Sequence, residues 1–237
     1  MSLTTRYESV AVDGDHFDAY CAIPEGGEGP GVLLFQEIFG INDNIRSLAE
    51  RLAGAGYLAL APDMFWRVER RFERKDESGM ADAFAMVQKF DFPKSVGDIR
   101  AAHAHLLAMP ECTGKVGAIG FCLGGGLAFA AATMSRVDGR SPDAAVCYYG
   151  SAINDMLSEV ESLHCPAMFH YGANDPFIST ENIAAVEQAV TGLPDTQFHR
   201  YEAGHAFSNW DAPSMYNQDA ADLAWSRTLE FFSDHLA

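Results

Sequence analysis

Basic residues are scarce in this sequence: 16 Lys and Arg stand against 33 Asp and Glu, which gives a formal net charge of -17 at pH 7. A chain this acidic repels polyanions and anionic bilayers at long range, so nucleic acids and membrane surfaces are excluded as expected partners. Long apolar runs are also absent, since no stretch approaches the roughly 18 apolar residues that span a bilayer. The opening residues MSLTTRYESV lack the basic and apolar regions of a secretory signal.

Cysteine is sparse and irregularly spaced. The five cysteines are odd in number and include no CxxC pair: Cys21, Cys112, Cys122, Cys147 and Cys165. They predict neither a disulfide framework nor a zinc site. The eight histidines show no HExxH or similar metal spacing, and the sequence has no Walker lysine and no dinucleotide fingerprint. We therefore expect a protein of a reducing compartment, the cytoplasm, that uses no metal and no other cofactor.

Apolar residues are abundant, at 48% of the chain, and they occur in short runs of two periodicities. Eight runs rich in β-branched and apolar residues are typical of strands, and five segments, from NIRSLAERLAGAG to AADLAWSRTLEFFSDHL, have the 3.6-residue pattern of helices. This alternation predicts an α/β fold with a mostly parallel central sheet of about eight strands and helices on both faces. Only DGD separates the first two strands, which predicts an antiparallel hairpin at one edge. We expect residues 1–237 to form a single domain.

One segment departs from this pattern. Residues 67–77, RVERRFERKDE, contain five of the sixteen Lys and Arg residues. Because ligands of open α/β sheets bind beyond the carboxyl ends of the strands, this segment could border a binding site. The alternative is a solvated helical face whose Glu and Arg residues pair at helical spacing, and we favour this second interpretation.

The stretch GFCLGG places a cysteine among glycines where an apolar strand ends and an alanine-rich helix begins. Gly120, Cys122 and Gly124 have the G-x-Nuc-x-G spacing of the nucleophile elbow of α/β-hydrolases, a sharp turn that tolerates only small neighbours. The start of a helix also stabilises negative charge such as that of a thiolate. A small cysteine that merely fills a tight turn would give the same pattern, so residues elsewhere must decide.

The chain order of the α/β-hydrolase fold supplies that test, because the nucleophile is followed by an acid and then a histidine, each at a strand end. Asp175 follows the strand PAMFHYG, and His205 follows the next strand, TQFHRYE. Glu37 ends the strand GVLLFQ, where an unpaired charge is costly to bury. The loop after that strand and the residue after the nucleophile supply the oxyanion-hole amides in this fold, which here are those of Ile38 and Leu123.

These motifs together resemble the dienelactone hydrolase family. QEIFGIND, APDMFWR, KVGAIGFCLGG, YYG, YGANDPF and YEAGHAF occur in the family's order and spacing over nearly the whole chain. The resemblance implies an α/β-hydrolase fold and a Cys–Asp–His triad at Cys122, Asp175 and His205, with Glu37 as the group that takes the thiol proton. It also implies hydrolysis of a small ester or lactone through an acyl-enzyme. We expect a monomer or a small homo-oligomer.

Two positions depart from the family's pattern. Members that hydrolyse dienelactones grip the substrate carboxylate with arginines, whereas this chain has Asn209 four residues after the expected catalytic histidine and Met80 at a second such position. Arginine suits that task because its planar fork makes two parallel bonds to a carboxylate. Either an arginine of residues 67–74 takes over, or the substrate is another small ester or lactone. We expect Phe39, Tyr148 and Asn209 to contact it.

Two other interpretations keep the same fold. The substrate could be a thioester or a simple carboxylic ester, or the protein could be a non-catalytic binding or redox-sensing protein in which Cys122 is oxidised. A redox sensor often has a resolving cysteine nearby, and none is close to Cys122 in the sequence. The complete set of thiol, acid, histidine and strand-end glutamate favours an enzyme.

Overall fold

A central sheet of eight strands organises the part of the chain that the computed structural model describes, residues 3–237. Its strands are β1 (Thr4–Val12), β2 (Asp15–Ile23), β3 (Gly29–Phe35), β4 (Leu58–Pro62), β5 (Cys112–Phe121), β6 (Ala144–Tyr148), β7 (Ala167–Gly172) and β8 (Thr196–Tyr201). They lie in the order β1-β2-β4-β3-β5-β6-β7-β8. β2 runs antiparallel to β1 and to β4, and the other neighbouring strands are parallel. The predicted mostly parallel sheet with an antiparallel hairpin at one edge is confirmed.

Helices surround this sheet. They are α1 (Asp43–Gly54), α2 (Met80–Val87), α3 (Phe92–Ala108), α4 (Leu123–Met134), α5 (Thr180–Val190) and α6 (Gln218–Leu236), with 3-10 helices at Glu77–Gly79 and Ile153–Ser162. Several of them begin where a polar side chain can accept a backbone amide of the first turn. Asn42, Asp91, Ser179 and Asn217 do so for α1, α3, α5 and α6.

The helices cover both faces of the sheet, as two successive residues of β5 show. A Cβ on Gly117 would lie 2.8 Å from Leu236 of α6, so glycine is needed where α6 approaches the sheet. The side chain of Val116, the preceding residue, lies on the other face of the sheet, where α3 packs. There a Cβ on Gly31 of the neighbouring strand β3 would lie 3.2 Å from Val116 and 2.9 Å from Leu106 of α3. Every residue of β4, β6 and β7 is buried, as expected for strands covered on both sides. Between residues 3 and 237, no helix combines the length and the apolar character that crossing a membrane requires.

The prediction of a helical face for residues 67–77 is wrong, because residues 67–76 form turns, bends and an isolated bridge, and only Glu77 is helical, as the first residue of the 3-10 helix. The carboxylate of Asp63 accepts the backbone amides of Phe65 (3.1 Å) and Arg71 (2.6 Å), and Arg71 has a φ of 55°. A left-handed residue interrupts a helix. The basic side chains do form ion pairs, but their partners lie elsewhere in the chain: Arg67 pairs with Asp98, Arg70 with Asp15, Arg71 with Asp18 and Arg74 with Asp82.

Candidate active site

Cys122 lies in the sharp turn between β5 and α4. Its backbone has φ 56° and ψ -115°, which residues other than glycine rarely adopt and which stores strain. A Cβ on Gly120 would lie 1.8 Å from the carbonyl oxygen of Gly124, and a Cβ on Gly124 would lie 2.2 Å from that of Phe35. Both glycines are therefore required by close backbone contacts, and the turn has the geometry of a nucleophile elbow.

Asp175 and His205 meet beside this turn. Each follows a parallel strand, β7 or β8, so neighbouring strands bring both residues to the same edge of the sheet. His205 Nδ1 lies 2.7 Å from Asp175 Oδ2. The other carboxylate oxygen of Asp175 accepts the backbone amides of Phe177 (2.8 Å) and Ile178 (2.9 Å). These bonds fix the fully buried carboxylate, which in turn orients the imidazole.

His205 also forms a side-chain hydrogen bond with Cys122. Burial by itself lowers the pKa of His205, but the negative charge of an ionised Cys122 and the bond to Asp175 outweigh it and raise the pKa to about 10. An imidazolium at neutral pH is the partner that stabilises a thiolate. The acid, the histidine and the thiol predicted from chain order therefore lie in contact, Asp175 with His205 and His205 with Cys122.

A cavity of about 170 Å³ borders Cys122. Its lining is mostly apolar, and its four polar residues are Glu37, Cys122, Ser151 and His205. The apolar lining residues are Ile38, Phe39, Met80, Phe84, Val87, Leu123, Phe177, Ala206 and Met215. Met80, Phe84 and Val87 have the i, i+4, i+7 spacing of one helix face, so α2 presents a single apolar stripe to the cavity. Among these described lining residues there is no lysine and no arginine.

Glu37 contributes a buried carboxyl group to this cavity. Its Oε1 accepts the hydroxyl of Tyr149 (3.0 Å), and its Oε2 accepts the side-chain amide of Asn209 (2.5 Å). Burial raises the pKa of Glu37, although the positive charge of His205 and these two hydrogen bonds act against it. Both hydrogen-bond donors are neutral, so the carboxyl group is not held in its ionised form by a direct ion pair with lysine or arginine. A carboxyl group in such surroundings can exchange a proton nearer to neutral pH.

The backbone amides of Ile38 and Leu123 belong to residues on the same cavity wall as Cys122. Ile38 lies in the loop after β3, and Leu123 is the first residue of α4. Within residues 3–237, neither amide donates to a protein acceptor. Two free amides beside a thiol can bind a carbonyl oxygen as it becomes negative.

Of the three residues predicted to contact the substrate, one lines the cavity and two do not. Phe39 lines the cavity. Tyr148 is fully buried away from it, because the last residue of β6 turns towards α6, where its hydroxyl lies 2.7 Å from Thr228 Oγ1. Asn209 does not line the cavity either, since it is buried with its amide on Glu37.

Sequence reasoning assigned no role to Tyr149, which holds Glu37, or to the cavity residues Phe84, Val87 and Ser151. Tyr149 follows β6, which lies between β5 and β7, so the convergence of strand ends is a signal that could have found it. Phe84 and Val87 belong to α2, a short helix that is not among the five helical segments predicted from the sequence. In the described chain, no group of three or more His, Cys, Asp or Glu side chains is placed to hold a metal ion.

Comparison with known proteins gives a consistent set of similarities. A family model described as the dienelactone hydrolase family matches residues 17–236. The chain is 34% identical over 230 residues to a carboxymethylenebutenolidase of Pseudomonas sp., with 94% of this chain and 93% of that protein covered. It is 33% identical over 233 residues to carboxymethylenebutenolidase 1 of Cupriavidus pinatubonensis, covering 98% and 97%. A solved structure described as a putative dienelactone hydrolase from Klebsiella pneumoniae has a TM-score of 0.84 at 27% identity, covering 98% and 99%.

Proposed function

The chain belongs to the dienelactone hydrolase family and is a hydrolase of ester or lactone bonds, and from this premise we propose that Cys122, His205 and Asp175 form its catalytic triad. We propose further that its substrate is a small, electrically neutral ester or lactone. One series of contacts carries the proposal: Asp175 holds His205 at 2.7 Å, and His205 hydrogen-bonds Cys122 at a strained strand-to-helix turn.

In the acylation step, the Cys122 sulfur attacks the carbonyl carbon of the substrate and forms a C–S bond. The π electrons of the carbonyl move to its oxygen, which accepts hydrogen bonds from the amides of Ile38 and Leu123. When the tetrahedral intermediate collapses, the bond from carbon to the alcohol oxygen breaks, and that oxygen takes a proton from the imidazolium of His205. Cys122 is left as an acyl thioester.

In the deacylation step, the neutral His205 takes a proton from a water molecule as the water oxygen attacks the thioester carbon. The same two amides bind the second oxyanion. Its collapse breaks the C–S bond, releases the carboxylic acid and regenerates the thiolate beside the imidazolium. The Asp175 carboxylate keeps Nδ1 of His205 protonated throughout both steps, which leaves Nε2 of His205 free for both proton transfers.

Glu37 is the group that removes the thiol proton when substrate enters. It lines the cavity together with Cys122, and the charges of both residues act on the Tyr149 hydroxyl, which donates to Glu37. Transfer of the proton from sulfur to the carboxylate leaves a thiolate paired with the imidazolium of His205. After the acid product leaves, the Glu37 carboxyl group returns this proton to the regenerated thiolate, so each turnover ends with the groups in their starting forms. The carboxylate can act in this way because its two partners are neutral hydrogen-bond donors rather than a fixed cation.

The cavity favours a neutral substrate. An anionic group would enter an apolar space that already contains the Glu37 carboxylate and that offers no lysine or arginine among its described lining residues, and the imidazolium of His205 on the same wall is already paired with Asp175. Burying an unpaired charge in this way is costly. Arg67, Arg70, Arg71 and Arg74 are paired with acidic residues and do not line the cavity.

The triad is tested with Cys122→Ala and, as a matched control, Cys112→Ala, which removes the partly exposed thiol at the start of β5. Rates are measured on p-nitrophenyl acetate, cis-dienelactone and a short acyl-CoA. We expect Cys122→Ala to fall to the uncatalysed rate on every substrate that the wild type hydrolyses, with an unchanged urea unfolding midpoint. Cys112→Ala should match the wild type. Turnover by Cys122→Ala would contradict the triad, and a strong preference for acyl-CoA would identify a thioesterase.

Substrate charge is tested with Met80→Arg, because Met80 lines the cavity. A cation there should raise kcat/KM for the anionic dienelactone relative to p-nitrophenyl acetate by roughly 10-fold or more, the scale of a charge-assisted hydrogen bond. Met134→Arg is the control for net charge, since Met134 is exposed at the end of α4. A wild type that strongly prefers dienelactone, with no change in Met80→Arg, would contradict the neutral substrate.

A further inference from the structure

Two segments meet beside the cavity, where β3 and β4 end. We call residues 37–42, between β3 and α1, the oxyanion loop, and residues 63–75, after β4, the strap. The oxyanion loop contains the Ile38 amide, and the strap contains the basic residues that stand out in the sequence. None of the described residues that line the cavity belongs to the strap.

Backbone contacts join the oxyanion loop to the strap. The amide of Arg74 donates to the carbonyl of Phe39 (2.9 Å), and Gly40 forms an isolated antiparallel bridge with Glu73. Gly40 has a φ of 80°, and a Cβ at this position would lie 1.8 Å from the carbonyl oxygen of Phe72. Only glycine permits so close an approach, and the contact leaves the middle of the oxyanion loop little freedom.

Side chains fix both ends of the same loop. Gln36, directly before it, accepts the backbone amide of Met64 with Oε1 (3.1 Å). Asn42, its last residue, donates to the carbonyls of Arg74 (3.3 Å) and Lys75 (3.4 Å) while its own side-chain oxygen caps α1. The strap therefore contacts the oxyanion loop at its beginning, middle and end.

Arg46 of α1 completes this arrangement. Its Nη1 donates to the carbonyl of Ile41, and its two terminal nitrogens reach the two carboxylate oxygens of Glu73 at 3.0 and 2.8 Å. A second carboxylate, that of Asp43, accepts Nη2 at 2.7 Å. Such a two-point pair is stronger and more directional than a single ion pair. One side chain thus joins α1, the oxyanion loop and the strap.

We propose that Arg46 and Glu73 are positioning residues, which hold the oxyanion loop so that the Ile38 amide is directed at the developing oxyanion. This inference rests on the proposed function, because it takes the Ile38 amide as a donor in the acylation step. An oxyanion hole works through donors that are already in place, and loss of one donor lowers kcat by roughly 10²- to 10³-fold. The last residues of the strap, with the Glu73 side chain, then stabilise the active-site backbone, and the strap does not bind the substrate.

The test uses Arg46→Ala and Glu73→Gln, with Arg70→Ala as a matched control. Arg70 is also an arginine that bonds one carbonyl, that of His16 (2.6 Å), and one carboxylate, that of Asp15 (2.9 Å), but it contacts no residue of the oxyanion loop. Hydrolysis of p-nitrophenyl acetate gives kcat and KM for each variant.

Alkylation of Cys122 by iodoacetamide, followed by peptide mass spectrometry, is the second measurement. This reaction displaces iodide at a saturated carbon and forms no oxyanion, so it reports the reactivity of the thiol independently of the Ile38 amide. A merely structural disturbance of the site would change both measurements, whereas a misplaced amide changes hydrolysis alone.

We expect Arg46→Ala to lower kcat by roughly 10-fold or more with KM changed by less than about threefold, and Glu73→Gln to show a smaller loss of the same kind. The alkylation rate and the pH dependence of kcat/KM should equal those of the wild type, and Arg70→Ala should match it throughout. If Arg46→Ala does not fold, Arg46→Lys, which keeps the charge but loses the fork, takes its place.

Unchanged kcat in the Arg46 and Glu73 variants would overturn the positioning role, and so would a kcat loss matched by an equal loss of alkylation rate. Wild-type protein that keeps its hydrolytic activity after complete alkylation of Cys122 would instead overturn the proposed function, and with it the inference. The failure of the positioning role and the failure of the proposed function therefore give different results.

Discussion

Two buried histidines, His170 in β7 and His205 after β8, have opposite surroundings. His170 has a neutral partner at each ring nitrogen: Nδ1 lies 2.8 Å from the hydroxyl of Tyr201, and Nε2 lies 3.2 Å from that of Thr228. Burial, chiefly, lowers the pKa of His170 well below its ordinary value of 6.5. His205 is buried too, yet its anionic partners raise its pKa to about 10. Burial alone therefore does not identify a histidine that handles protons.

The hydroxyls of the adjacent residues Tyr148 and Tyr149 repeat this contrast. The hydroxyl of Tyr148 bonds Thr228, so it belongs to the network around His170. The hydroxyl of Tyr149 donates to the Glu37 carboxyl group at the cavity.

The network around His170 contains one cation, since Arg227 donates to the Tyr201 hydroxyl at 3.1 Å, but the described side chains that bond His170 and Tyr201 include no carboxylate and do not line the cavity beside Cys122. The network around Glu37 and His205 contains two carboxyl groups and borders the space where a substrate fits. Carboxyl groups beside a cavity distinguish the functional network.

The largest expected effect is on turnover when each histidine is replaced by an amide. His205→Gln should lower kcat by roughly 10³-fold or more, because both proton transfers lose their acid and base. His170→Gln should keep kcat within about threefold of the wild type but lower the free energy of unfolding by about 1–3 kcal/mol, since its hydroxyl partners lose part of their hydrogen bonding. Hydrolysis of p-nitrophenyl acetate and urea unfolding check both variants. A comparable loss of kcat in His170→Gln would remove the distinction between the two networks.

Replacing Glu37 should have the next largest effect. Glu37→Gln should lower kcat by on the order of 10²-fold, because the proton acceptor for the thiol is lost. The raised pKa of Glu37 also predicts that the wild-type rate falls as the pH drops through that pKa, where the protonated group can no longer accept. This acid limb should be missing from the pH–rate profile of Glu37→Gln.

Glu50→Gln is the matched control for this prediction. Glu50 of α1 also accepts a tyrosine hydroxyl, that of Tyr20 at 2.8 Å, but lies outside the cavity lining. Its replacement should leave kcat and the pH–rate profile unchanged. An acid limb that persists in Glu37→Gln would assign thiol deprotonation to His205 alone.

A smaller effect separates the two tyrosines. Tyr149→Phe removes a donor that favours the ionised form of Glu37, so the pKa of Glu37 should rise further and the acid limb should move to higher pH, with kcat near neutral pH lowered by roughly 10-fold. Tyr148→Phe should leave the pH–rate profile unchanged and lower only stability, by about 1 kcal/mol. Identical pH–rate profiles for the two variants would show that the Tyr149 hydroxyl does not act on Glu37.

The sequence was sufficient for the fold and for the meeting of Cys122, Asp175 and His205. Two physical rules made this possible: each strand is a short run rich in apolar residues, and parallel strands bring the residues after their carboxyl ends to one edge of the sheet. The spacing of the glycines at 120 and 124 indicates a tight turn, which the close backbone contacts at both positions require, and the acid and histidine that follow in chain order identified Cys122 as the candidate nucleophile.

The strap shows why other features could not be predicted. Its alternating Glu and Arg residues fit a helix, but the acids that pair with its arginines are distant in the sequence, and nothing local marks Arg71 as left-handed. Tyr148 is the last residue of β6, whereas Tyr149 follows the strand with a left-handed φ of 35°, and nothing local in the sequence indicates this change of backbone direction, which separates their hydrogen-bond partners. Asn209 was expected at the substrate because of its position in the chain, and only the direction of its side chain assigns it to Glu37.

The smallest expected effect concerns the pH dependence of stability, and it compares His170 with His205 once more. Because the pKa of His170 is lowered in the folded protein, the unfolded chain binds a proton below pH 6.5 that the folded protein does not, and stability falls as the pH decreases. His205 acts in another window: its raised pKa gives stability that is fully present below pH 6.5 and is lost as the pH rises towards about 10. The two effects therefore do not cancel on the acid side.

Between pH 6.5 and pH 5, His170 lowers the stability of the wild type, at a slope that does not exceed about 1.4 kcal/mol per pH unit. His170→Gln has no such group, so its free energy of unfolding should fall by less than that of the wild type over this range, as measured by urea unfolding at both pH values. Other groups, including His103, whose pKa burial lowers to about 4, are present in both proteins and drop out of the difference. Equal losses in the wild type and in His170→Gln would mean that His170 can be protonated without leaving its network, and the contrast with His205 would then rest on the cavity alone.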